Sequence, residues 1–214
     1  MQQLTRREQQ LATRQRLKAS GARAMARSGC RGTRIEQVAR DAGLTKGAFY
    51  AHFDDKLAMT LEILGDRQAA DFAYWEAMLD AAADHDACLD DVIRHSGDAA
   101  RINGLIAVEL HLEAERNEAF RPHFMAYLEK LHAEVGRLLC KVLRRNGKEP
   151  PENLRELVAE MYILGTSTGV TSFFGDDMSP EELTGKFIRA LVARIISQAK
   201  PLGAEQEAEG YPGA

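Results

Sequence analysis

The sequence predicts an all-α protein, and three observations carry that expectation. Apolar residues recur with the 3.6-residue period of a helix through most of the chain, and no stretch sustains the period-two alternation of a half-buried strand. Helix punctuation recurs too: Thr33 with Glu36 three residues on, Asn146-Gly147 after a long periodic run, and Ser179-Pro180-Glu181-Glu182 before another. The 214 residues are 45% hydrophobic and 28% charged, an ordinary globular composition. No run of about 18 apolar residues is present to cross a bilayer.

The first helix is expected over Arg7–Ser28, with Leu11, Leu17, Ala22 and Met25 among its apolar positions and Gly29 as its stop. Thr33 and Glu36 read as a capping box opening a short helix whose inner face is Ile35, Val38, Ala39 and Ala42. Gly43 supplies a left-handed end, Leu44 fits a buried turn position, and Thr45 is a natural N-cap for the next short helix, Lys46 to Phe53. Two short helices joined by a tight glycine turn form the helix-turn-helix pattern. Asp54 is expected to cap a long fourth helix through Leu79, striped with Leu57, Leu61 and Leu64. Further helices are expected over Ala87–Ala99, Asn103–Arg116, Pro122–Arg145, Glu152–Phe174 and from Ser179 to about Lys200, about nine in all. The acidic, glycine-punctuated segment 200–214 is expected to be a disordered tail. The organisation that follows is a helix-turn-helix domain over 7–53, linked through the helix 54–79 to a second domain over 54–199.

Charge is divided unevenly. Residues 1–60 hold twelve Lys/Arg against five Asp/Glu, a balance of +7, whereas the rest holds 16 against 27, a balance of −11. Such asymmetry points to a polyanionic partner for the basic part. The N-terminal twenty residues are basic but have no apolar core of a secretion signal, so a cytoplasmic chain without membrane association is expected. Cys30, Cys88 and Cys140 are far apart and form no CxxC pair, which argues against a disulfide framework or a zinc knuckle. They read as packing thiols, with a redox-sensing role for Cys30 as the alternative.

The stretch Gly43–Phe53, GLTKGAFYAHF, is odd as a helix: it carries an internal glycine and adjacent aromatics that point to different sides. Assigned to faces, Ala48, Phe49 and Phe53 turn inward while Lys46, Gly47, Tyr50 and His52 are left outside. Gly47 would let a duplex approach the backbone, and Lys46, Tyr50 and His52 offer donors to phosphates or base edges. Lys56 stands in the first turn of the next helix, where a nearby phosphate would offset its unfavourable place on the helix dipole.

Thr33 through Leu64, TRIEQVARDAGLTKGAFYAHFDDKLAMTLEIL, resembles the DNA-binding domain of the TetR/AcrR family of bacterial transcriptional regulators. The likeness spans roughly residues 10–65 and rests on the Thr, the Val-Ala pair, the Ala-Gly-Leu turn, Lys-Gly, and Phe-Tyr-x-His-Phe followed by a Lys three residues on. The resemblance implies an all-α homodimer whose N-terminal three-helix domain reads a pseudo-palindromic double-stranded DNA operator. A larger C-terminal helical domain would bind a small molecule and dimerise. The positions matching the family's DNA contacts are Thr33, Arg34, Thr45, Lys46, Gly47, Tyr50, His52 and Lys56.

Within the C-terminal part, the resemblance implies an effector cavity among the middle helices. Its candidate lining is Trp75, Met78, Leu105, His111, Leu112, Phe120, His123, Phe124, Tyr127, Leu128 and Met161, with plain core packing as the other reading of each. The effector would be partly apolar. For the dimer interface the candidates are Tyr162, Gly165, Gly169, Phe173, Phe187, Leu191 and Ile195 on the last two helices. Glu109 and Glu113 share a helix face that His111 does not, so they read as exposed carboxylates rather than a metal site. No phosphate-binding glycine loop, GxSxG or HExxH is present, so neither an enzyme nor a cofactor is expected. A DNA-binding dimer controlled by a protein partner or by redox state is the alternative to ligand control.

Overall fold

The computed structural model describes residues 5–81, 104–167 and 180–203, and among these residues it is helical throughout, with eight helices and no strand. They are α1 (Arg6–Gly32), α2 (Ile35–Asp41), α3 (Lys46–Tyr50), α4 (Lys56–Ala81), α5 (104–116), α6 (Arg121–Arg145), α7 (Leu154–Ser167) and α8 (Pro180–Gln198). The helix expected over 87–99 lies outside the described residues. The chain divides into two compact units: Met1–Ala69 with Leu105–Phe124, and Ala70–Gly104 with Met125–Ala214.

The first unit is built on α1. Its N-terminus carries a capping box that the sequence reading overlooked: Glu8 N–H donates to Thr5 Oγ1 at 3.3 Å while Glu8 Oε2 accepts from the Thr5 amide at 2.6 Å. The buried face of α1 runs Leu17, Ser20, Gly21, Ala24 and Met25, whereas Leu11 and Ala22, expected inside, are exposed. A Cβ on Gly21 would meet the Met59 side chain at 2.7 Å, so this glycine lets α1 and α4 approach closely. Gly29, at φ 67°, breaks the helix where the sequence placed its end. Between α2 and α3 the amides of Gly43 and Leu44 return to the carbonyls of Arg40 and Ala39, at 2.9 and 2.8 Å. This is a Schellman ending, closed by Gly43 at φ 67°.

Two expected caps are displaced. Thr33 does not cap α2: Arg34 is the N-cap residue and makes no side-chain capping bond, while the Thr33 hydroxyl donates back to Gly29 O at 2.7 Å. The break at Gly29 leaves that carbonyl free of an α-helical partner, and the nearby hydroxyl takes it. Likewise Asp55, not Asp54, caps α4, its Oδ1 accepting from the Ala58 amide at 2.7 Å.

In the second unit, α6, α7 and α8 enclose a core of Leu139, Leu143, Leu157, Leu191, Ile195 and Ala199. Gly147, at φ 64°, closes α6 with a second Schellman pattern, Gly147 N to Arg144 O and Lys148 N to Leu143 O. Residues 200–203, assigned to a disordered tail, instead pair with this turn: Glu149 N donates to Lys200 O at 2.9 Å and Leu202 N to Gly147 O at 2.8 Å. Arg137 grips Glu76 with both guanidinium branches, at 2.6 and 3.1 Å, and Lys141 reaches Asp80 at 2.7 Å, joining the C-terminal turns of α4 to α6.

Leu143 is fully buried at the centre of this core. Leu143→Ala is expected to cost about 2–5 kcal/mol in urea unfolding, since the cavity adds to the lost transfer energy. His132 packs edge-on to Tyr162 at 5.3 Å, and burial, aided by the Arg155 charge, lowers its pKa from the ordinary 6.5. The unfolded chain therefore takes up a proton that the folded chain refuses, so stability falls as pH drops below about 6.5. Unfolding titrations of His132→Leu are expected to show a weaker acid dependence than the parent chain.

Candidate functional site

The short helix α3 is positioned from one side only. Thr45 caps it, accepting the Ala48 amide at 3.1 Å, and Phe49 is fully buried beneath it. The Phe49 ring meets the edge of Tyr50 at a 5.5 Å centroid distance and the tilted ring of Phe53 at 5.5 Å. Phe53 is in turn covered by the Arg14 guanidinium, 4.3 Å from the ring centroid. Arg14 also donates to the His52 carbonyl and to the Glu62 carboxylate, tying α1, the end of α3 and α4 together. Arg16 donates to Ala42 O at 2.5 Å beside Gly43, holding the turn between α2 and α3.

The face opposite Phe49 is open. Lys46, Gly47 and Tyr50 are all exposed, Tyr50 to 49%. A Cβ on Gly47 would meet nothing nearer than Thr45 Oγ1 at 3.7 Å, an ordinary contact, and its φ is not positive. Nothing within the described fold asks for glycine there. Lys46 Nζ bonds Glu36 Oε1 of α2 at 2.5 Å. The Lys46 hydrogen bond holds the Glu36 carboxyl below its usual range, and the same bond raises the Lys46 ammonium. Both side chains are exposed, so solvent and salt weaken the pair and a competing phosphate can replace the carboxylate. His52 is half-buried in the turn after α3 rather than on its outer face. Thr45 and Arg34 are exposed at the starts of α3 and α2.

Two assignments change. Thr33 is 3% exposed and its hydroxyl is bonded to Gly29 O, so its side chain does not face outward. Lys56 turns inward, its ammonium donating to the carbonyls of Arg31 at 3.2 Å and Thr33 at 3.1 Å. These two carbonyls follow the break in α1, and their partial negative charge is what the cation answers. Three residues that position or pair with this face were not singled out for it: Arg14 and Arg16, counted only as charge, and Glu36, read only as a cap. The signal for Arg14 was available in its aromatic partner only once Phe53 was placed inside.

The expected effector-pocket residues fall in both units. Leu105, His111, Leu112, Phe120, His123 and Phe124 belong to the first, and Trp75, Met78, Tyr127, Leu128 and Met161 to the second. In the first, Phe120 and Phe124 are buried and stacked at 5.9 Å, and His111 meets Phe124 edge-on at 4.8 Å with its Nδ1 2.8 Å from Ala107 O. This cluster is packing. Leu105, Leu112 and His123 are exposed. In the second, Trp75 Nε1 is buried with no hydrogen-bond partner among the described residues, and so is Nε2 of His132, which the sequence did not single out. Among the described residues no group of three or more His, Cys, Asp or Glu could hold a metal ion. No helix there is long and apolar enough to cross a membrane.

Of the expected interface residues, Leu191 and Ile195 are instead buried against α6 and α7 of the same chain. Their i, i+4 spacing puts them on the inner face of α8. Phe187 is 53% exposed, as is the overlooked Ile163, at 64%. Tyr162 lies against His132, and a Cβ on Gly165 would meet nothing within 4 Å. Gly169 and Phe173, like Cys88, lie outside the described residues. Cys30 is buried with its Sγ 3.4 Å from Thr60 Oγ1, and burial pushes its thiol up, which opposes reactivity as a redox sensor. Cys140 is buried as well, and its thiol is raised for the same reason.

Residues 19–63 match the model of bacterial regulatory proteins of the tetR family. No curated protein sequence matches the chain. Among solved structures it is similar to a TetR transcription regulator from Haloarcula marismortui (12% identity, 88% of this chain and 99% of that one, TM-score 0.64). It is similar also to the transcriptional regulator FadR from Bacillus subtilis solved with stearoyl-CoA (14%, 84% and 97%, TM-score 0.63). A third is a Saccharomonospora viridis protein solved with choline (17%, 84% and 95%, TM-score 0.62). At these identities the structures share the fold and no more. The match over residues 19–63, within α1 to α4 at the head of this all-helical fold, makes that segment similar to the bacterial regulatory proteins of the tetR family.

Proposed function

We propose that the chain is a homodimeric transcriptional regulator that reads a pseudo-palindromic DNA operator through α3 and is released from it by a small molecule. The observation that carries the DNA-binding reading is Gly47. It is exposed between Lys46 and Tyr50, over a buried Phe49, on a helix where no internal contact requires a glycine. A missing Cβ on an outward face is useful to a partner that must approach the backbone closely. Arg34, Thr45, Lys46, Gly47 and Tyr50 are the contacts assigned, with His52 at the margin. Two copies of α3 would enter successive major grooves about 34–36 Å apart.

Homodimerisation is assigned to the outward faces of α7 and α8, where Ile163 and Phe187 are exposed and Gly165 leaves room for close approach. The effector is assigned to the second unit. Trp75 Nε1 and His132 Nε2 are buried polar atoms that a partly apolar ligand with a polar group would satisfy. Stearoyl-CoA and choline in the two similar structures fit that chemistry. The helix α4 runs through both units and is the lever assigned to the response, for which a coupling of about 1–3 kcal/mol is typical. The protein would act in the cytoplasm as a repressor.

Duplexes selected from genomic DNA by the full chain provide the test. Tyr50→Ala and Gly47→Ala are each expected to weaken binding about tenfold or more in a mobility-shift assay, a loss of roughly 1.4 kcal/mol. Gly47→Ala is expected to leave thermal stability unchanged or raised by up to about 1 kcal/mol. Undiminished binding in both variants would sink the α3 assignment. Lys46→Ala should lower the magnitude of the log-affinity against log-salt slope by about one. Lys56→Ala should leave the slope unchanged, because its ammonium is spent inside the fold. Redox control is separated from ligand control by thiol labelling. Cys30 in the native chain is expected to react with iodoacetamide at least about 100-fold more slowly than in the denatured chain, and rapid native labelling would restore the redox reading.

A further inference from the structure

The junction between α1 and α2 is fastened by a residue from far along the chain. Beyond the break at Gly29, the Arg31 amide donates to Glu109 Oε2 of α5 at 2.8 Å. The same short segment is also held by Lys56 of α4, whose ammonium bonds the Arg31 and Thr33 carbonyls. Gly29 makes the arrangement possible in two ways. Its φ of 67° suits glycine, and a Cβ there would collide with the Glu109 carboxylate. An alanine at position 29 would therefore strain the backbone and displace the carboxylate together. Arg34, which follows directly, is exposed at the start of α2 and makes no capping bond of its own. Its carbonyl accepts from the Gln37 and Val38 amides, and on its other flank it adjoins the segment that Glu109 and Lys56 hold.

We propose that Glu109 is a positioning residue for DNA binding: its carboxylate fixes the junction 29–34 and, through it, the place of Arg34 and the first amides of α2. This rests on the DNA-binding reading above. Glu109 lies outside the segment 19–63 that matches the tetR-family model, yet the compact unit containing that segment includes it. The bond is charge-assisted, with an anionic acceptor on a backbone donor, and such bonds are shorter and stronger than neutral ones. The junction is thus bonded by both an anion, Glu109, and a cation, Lys56, rather than held by chain stiffness alone.

The test uses the full-length chain and duplexes selected from genomic DNA by the parent protein. Failure of the parent to select any sequence defeats the DNA-binding reading itself, independently of Glu109. Given a selected duplex, Glu109→Ala is expected to weaken binding about tenfold, while Glu109→Gln, which retains an acceptor oxygen, stays within about threefold of the parent. In a double-variant cycle, Glu109→Ala is expected to cost much less in an Arg34→Ala background, because the two act through one contact. A purely structural role would leave the two losses additive, and additivity overturns the proposal, as does undiminished binding by Glu109→Ala. Should Glu109→Ala fail to fold, hydrogen exchange in the parent chain decides. The Arg31 amide is expected to exchange at least about tenfold more slowly than an unprotected exposed amide, and unprotected exchange overturns the proposal.

Discussion

The burial of Phe49 is the constraint on which the rest of the N-terminal unit depends. A five-residue helix has too few internal hydrogen bonds to offset the cost of its own nucleation, so α3 exists because its tertiary contacts hold it. Phe49 supplies the apolar anchor, fully buried and flanked by the rings of Tyr50 and Phe53. Arg14 closes the arrangement from α1, lying over Phe53 and bonding the carbonyl of His52. With the inner face fixed in this way, the orientation of Lys46, Gly47 and Tyr50 follows from helix geometry alone. The outward face of α3 is thus set by a ring that is itself fully buried.

The basic balance of the first sixty residues is only partly a surface property. Arg14, Arg16, Lys18 and Lys56 are engaged within the unit, with Glu62, the Ala42 carbonyl, Asp66 and the carbonyls of Arg31 and Thr33. Cations used in this way orient helix ends and turns, and they add little to counterion release. Arg34 and Lys46 are differently placed. Arg34 is exposed at a helix start, and Lys46 is held only by an exposed carboxylate that a polyanion can displace. Charge counting singled out the basic part of the chain, but it could not say which cations are spent internally.

Much of the fold was legible because its local signals are backbone signals. Gly29, Gly43 and Gly147 each mark a helix end, and each has positive φ in the structure. Thr45 caps α3 as its side chain and spacing require. Most of the misplacements depend on a partner distant in sequence; Thr33, whose hydroxyl is taken by a carbonyl four residues back, is the exception. Thr33 looks like a cap until Gly29 offers it a nearer carbonyl, and Lys56 looks solvent-facing until two carbonyls at the end of α1 are placed beside it. Leu191 and Ile195 have the character of interface residues, yet α6 and α7 of their own chain cover them. Glu109 read as an exposed carboxylate because its acceptor role needs a backbone amide 78 residues away. The exposed face of α3 was legible in the sequence; the contacts that hold it were not.

The central claim, that α3 presents a DNA-reading face in a two-fold dimer, is tested most directly by hydroxyl-radical footprinting of the parent chain on a duplex it selects from genomic DNA. Two protected patches are expected, related by a two-fold axis and about one helical turn, roughly 10 base pairs, apart. Methylation of guanine N7 inside the two major-groove segments should interfere with binding, since that atom is a major-groove acceptor. A footprint that slides with no preferred position, or one confined to a single asymmetric patch with no major-groove interference, would contradict it.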